Sequence, residues 1–76
     1  MAITGAALQA QLGTNGTSPR VSREFGVVST FQEWLIFGGA AWPGKETVVR
    51  TTAANTAAQQ ATQVLTALAL PNAHGL

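Results

Sequence analysis

Thr30-Phe31-Gln32-Glu33-Trp34-Leu35-Ile36-Phe37 runs directly into Gly38-Gly39, and the reading of this stretch sets the architecture on both sides of it. Its first four residues spell a capping box. The Thr30 hydroxyl can accept the Glu33 amide, and the Glu33 carboxylate can return to the Thr30 amide. Phe31, Trp34, Leu35 and Phe37 then fall on a helix of one to two turns, which Gly38-Gly39 ends in the left-handed manner. Working outward, Arg20 to Thr30 holds Val21, Phe25 and Val27-Val28, which favour an extended segment, with Gly26 hinting at a bulge. On the other side, Ala40-Ala41-Trp42-Pro43-Gly44 is a turn, and Thr47-Val48-Val49 within Lys45–Thr51 is a short strand. The two β-branched segments are expected to pair with each other. Two short strands are marginal alone, so a helix or a neighbour must cover them.

Residues 53–70 contain no Gly or Pro and are rich in Ala, Gln and Leu, all favourable in helices. Ala54, Ala58, Ala61, Leu65 and Leu68 repeat at 4-3-4-3 spacing and form a seam. Thr52 or Asn55 is placed to cap its start, and Pro71 stops it. At the other end, residues 3–12 fit a short helix with Thr4 as N-cap and Leu8 and Leu12 on one face, although Gly5 weakens it. Gly13 to Pro19 is turn chemistry throughout. The expected fold class is a small α+β protein, with an irregular N-terminal half carrying short strands and one long C-terminal α-helix. It is expected as a single domain over 1–76, made of an arm and loop (1–19), short strands and a short helix (20–51), the helix (52–70) and a tail (71–76).

The chain has 76 residues, too few for a deep core, so its free-standing stability is thin. It has no cysteine and one histidine, His74, so neither disulfides nor a zinc cluster can staple it. Oligomerisation is the remaining device. Charged residues make up 9%, against about 25% in an average protein. All of them lie between Arg20 and Arg50: Arg20, Arg23, Glu24, Glu33, Lys45, Glu46 and Arg50. A neutral Thr/Gln/Asn/Ser surface suits burial against other protein, where charge must be paired. A net charge of +1 with no basic stripe argues against nucleic-acid binding. The apolar run Trp34–Trp42 is well short of the roughly 18 residues of a membrane span. The N-terminal stretch lacks the basic region of a secretory signal. Both features lead to the expectation of a protein made and used in the cytosol, or in a particle assembled there.

Catalysis is not expected. There is no Asp, the three glutamates fit surface or capping roles, and His74 lies in the tail after Pro71. No phosphate-binding glycine motif is present, and no cofactor or metal is expected. The side chains expected to contact a partner are Trp34, Phe37, Trp42, Leu65 and Leu68 as apolar anchors, with Arg20 and Arg23 as polar contacts.

The low charge, the Thr/Ala/Gln-rich helix and the Met1-Ala2-Ile3-Thr4 opening resemble small accessory proteins of tailed-phage virions. The likeness is one of composition over the whole chain and carries no motif, so no residue role transfers. It implies a capsid cement or decoration protein, or a minor head–tail or tail component. Its partners would be a major capsid protein or equivalent and copies of itself, with no nucleic acid and no membrane. Its location would be the virion, assembled in the host cytoplasm. An accessory subunit of a cellular complex is the alternative. A third reading rests on Gly38-Gly39, which resembles the double-glycine end of bacteriocin leader peptides and would make the chain a secreted peptide precursor.

Overall fold

The computed structural model describes residues 2–14, 18–37 and 46–68. They form a small α+β domain in the order helix α1 (Gly5–Leu12), strands β1 (Arg20–Val28), β2 (Phe31–Phe37) and β3 (Glu46–Thr52), and helix α2 (Ala57–Leu68). The strands make an antiparallel meander with β2 in the centre.

This corrects the expected fold class. The N-terminal half is regular, and there are two helices instead of one long C-terminal one. The largest correction falls on Phe31–Phe37, which is a strand. Gln32, Trp34 and Ile36 are buried on one face, while Phe31, Glu33, Leu35 and Phe37 take the other. That is the two-residue period of a half-buried strand. Thr30 is a turn residue, not a cap. With Ser29 it makes the two-residue loop between Val28 and Phe31, and Ser29 supplies the positive φ, 58°, that such hairpin loops need. The Glu33 carboxylate turns across the sheet to Arg50, 2.8 Å away. Val27-Val28 and Thr47-Val48-Val49 do not pair with each other, because β2 separates them and pairs with both.

A capping box is present, but at α2. Thr56 Oγ1 accepts the Gln59 amide at 3.2 Å, and Gln59 Oε1 accepts the Thr56 amide at 3.0 Å. Thr56 therefore caps this helix, where Thr52 or Asn55 was expected, and Ala53–Asn55 belong to a turn before it. The buried face is Gln60, Ala61, Val64 and Leu68; Ala54 and Ala58 of the expected seam are exposed. The short N-terminal helix capped by Thr4 is present, with Thr4 Oγ1 accepting the Ala7 amide at 3.1 Å. Gly5 has a local reason. A Cβ there would stand 2.7 Å from the Glu24 carboxylate, which accepts the Gly5 amide at 2.9 Å.

Both helices lie on one side of the sheet, touching each other, with α1 against β1 and α2 against β3. The core between is Leu8, Leu12, Trp34, Ile36, Val49, Ala61, Val64 and Leu68, flanked by Ile3, Val21 and Leu65. The expected turn at Ala40–Gly44, the Asn15-Gly16 loop, Gly38-Gly39 and the tail after Pro71 lie outside the described residues.

Candidate interaction surface

Polar side chains are locked on the inner side of the sheet. Trp34 Nε1 donates to Thr51 Oγ1 at 2.8 Å, and that hydroxyl donates to Gln60 Oε1 at 2.6 Å. Gln60 Nε2 donates in turn to the carbonyls of Asn55 and Ala53. All three side chains are fully buried, and every donor in the relay has an acceptor. Gln32 holds the Ile3 backbone in the same way, accepting from its amide and donating to its carbonyl. Gln9 bridges the end of α1 to β1, donating to the Gly13 and Pro19 carbonyls and accepting the Val21 amide.

Among the described residues, no helix covers the outer side of the sheet. The pairing register places Val28 beside Phe31, Phe31 beside Thr52, and Leu35 beside Val48 on this face, with Phe37 at its end. Phe31 is 42% exposed and Val48 is 55% exposed, although both belong to regular strands. The Arg50–Glu33 ion pair crosses the middle of the face, with the Arg50 side chain 60% exposed. Phe25 lies at the β1 irregularity between Glu24 and Gly26, with the Arg23 guanidinium stacked over its ring at 5.4 Å. The result is a mixed surface, with apolar Val28, Phe31, Leu35 and Val48 set among Arg23, Glu46 and the Arg50–Glu33 pair.

The structure distributes the expected contact residues widely. Trp34 and Leu68 are fully buried in the chain's own core, and Leu65 packs against it. Arg20 donates to the Thr14 carbonyl at 3.1 Å and is half-buried, whereas Arg23 is exposed on Phe25. Phe37 is half-buried at the end of β2, and Trp42 lies outside the described residues. Of the set, the outer sheet face carries Phe37 and Arg23; Phe31, Leu35, Val28 and Val48 were not expected there. For Phe31 and Leu35 the signal was the alternation in Phe31–Phe37, hidden by the helical reading of the same residues.

An open groove of about 340 Å³ separates α1 from β1, lined in part by Gln9, Ser22, Arg23 and Glu24. Its carboxylate is engaged with the α1 amide of Gly5 and its amide side chain with the loop backbone. Among the described residues no three His, Cys, Asp or Glu side chains gather as a metal site. No helix among them is long and apolar enough to cross a membrane. Comparison with family models, curated proteins and solved structures finds no match to this chain.

Proposed function

We propose that the chain is a non-catalytic structural protein that stabilises a large protein assembly, acting as a cement, decoration or minor component of a bacteriophage virion. The observation that carries the assembly reading is the outer face, where Val28, Phe31 and Val48 are exposed around half-buried Leu35. Apolar side chains on a regular, twisted surface lose unfavourable hydration when another protein covers them. The scarcity of charge elsewhere removes the usual penalty for pressing such a small protein between neighbours. Seven residues at about 3.3 Å and three strands at about 4.8 Å make a face of about 23 Å by about 14 Å. That is less than the roughly 800 Å² per partner of a standard stable interface. It fits one contact among several, as made by a subunit wedged in a shell. The assignment to a phage particle rests on the compositional likeness.

Quantitative mass spectrometry of gradient-purified virus particles from the source culture tests this. The expected result is the chain in a fixed, high ratio to the shell protein. Its absence from particles, with co-fractionation in a cellular complex, would replace the virion by the accessory-subunit reading.

A further inference from the structure

The two edges of the sheet are not alike. β1 is guarded: its register slips twice, at Ser22 and Phe25, and Gly26 at the second slip adopts φ 100°. Gln9 also takes the edge amide of Val21. Bulges and covering side chains are how proteins keep edge strands from pairing. β3 is regular over its whole length, pairing residue for residue with β2 from Glu46 to Thr52.

The ladder fixes which backbone groups of β3 face outward. The Ala53 amide donates to the Thr30 carbonyl at 2.9 Å. By the alternation of an antiparallel ladder, Thr51, Val49 and Thr47 turn their amides and carbonyls toward β2. Thr52, Arg50, Val48 and Glu46 turn theirs to the open edge. The Thr52 amide confirms the parity, since Gln63 of α2 accepts it at 3.0 Å and so closes that end of the edge. Among the described residues the open segment is therefore Glu46 to Arg50.

We infer that this segment pairs antiparallel with the same segment of a second copy of this chain, about a two-fold axis at Val48, joining two three-stranded sheets into one. The charges choose the register. With Val48 opposite Val48 of the other copy, Glu46 faces Arg50 twice over, and about six ladder hydrogen bonds form, two for each facing pair. Centring the axis on Arg50 would set like charges opposite each other, and a shift by one pair would leave both charges facing neutral residues. Glu46 has no ion-pair partner among the described residues. Among the described residues Arg50 uses only its Nε, on Glu33, so its terminal nitrogens can reach across. The pairing sets Val48 beside its own copy on the outer face and extends the apolar surface across both sheets. Isologous contacts of this kind close as a dimer.

The inference deepens the assembly reading, and sedimentation of the full chain from about 1 to about 500 µM tests it. The expected result is a monomer–dimer equilibrium. Glu46→Arg and Arg50→Glu should each weaken it at least tenfold. An equimolar mixture of the two variants should form a heterodimer, because both charged facing pairs are then opposite in sign. Val48→Pro, which removes an edge amide that β2 does not use, should leave circular dichroism intact and abolish the dimer; if it unfolds, the charge variants decide alone. A wild-type chain that stays monomeric throughout would overturn the inference, as would a dimer indifferent to both charge reversals. The two proposals fail separately: a monomer found in particles sinks only the pairing, and a dimer absent from them sinks only the virion.

Discussion

Thr51 stands where three elements meet, and its hydroxyl does two jobs at once. It accepts from the Trp34 indole of β2 and donates to the Gln60 side chain of α2. Thr51→Val keeps the shape and removes both bonds, leaving an indole N–H and an amide oxygen buried without partners. Each such orphan costs about 1–3 kcal/mol. We expect urea unfolding to show a loss of about 2–4 kcal/mol, with Thr51→Ser recovering most of it. Little of this relay was legible beforehand. Trp34 stood out as a large apolar anchor, but Thr51 and Gln60 looked like surface residues, because a buried Thr or Gln is indistinguishable from an exposed one until its partner's position is known.

At the scale of elements, glutamines substitute for missing backbone partners. Gln9 ties α1, the loop end at Pro19 and the first strand together through three hydrogen bonds. At about 0.5–1.5 kcal/mol net each, Gln9→Ala should lower stability by about 2 kcal/mol. Amide exchange should locate the damage, with Val21 losing protection while Val49, held by β2, keeps it. The helix–strand confusion at Phe31–Phe37 belongs to this scale too. Phe31, Trp34 and Leu35 satisfy a helical face, while Gln32, Trp34 and Ile36 satisfy a strand face, and Thr30 with Glu33 fits a cap. Local preference left the two level. The tie is broken by Val21–Val28 and Thr47–Thr52, which need a shared central partner and find it only if Phe31–Phe37 extends. By contrast α1 stood out from its Thr4 cap and its Leu8/Leu12 spacing, since a helix bonds within itself and its signals are local, whereas for α2 only the uninterrupted helix-favouring composition was legible and its cap and buried face were not.

For the whole molecule, the open question is whether the outer face matters to the fold or only to what the fold meets. Val48 and Val49 are neighbours that point to opposite sides of β3, one 55% and the other 3% exposed. Replacing either by Thr preserves β-branching and volume, so strand preference is nearly unchanged and only the side chain's surroundings differ. Val49→Thr places a hydroxyl in the core against Trp34 and the helices, at a cost of about 1–3 kcal/mol. Val48→Thr, measured at micromolar concentration or below, should change stability by less than about 0.5 kcal/mol. As concentration rises, the wild-type midpoint should climb, because association stabilises only the folded chain. Val48→Thr should then fall behind, having given up apolar area at the contact. Equal costs at both positions under dilute conditions would mean that the outer face is already covered by the chain itself, and the physical basis for an assembly role would be gone.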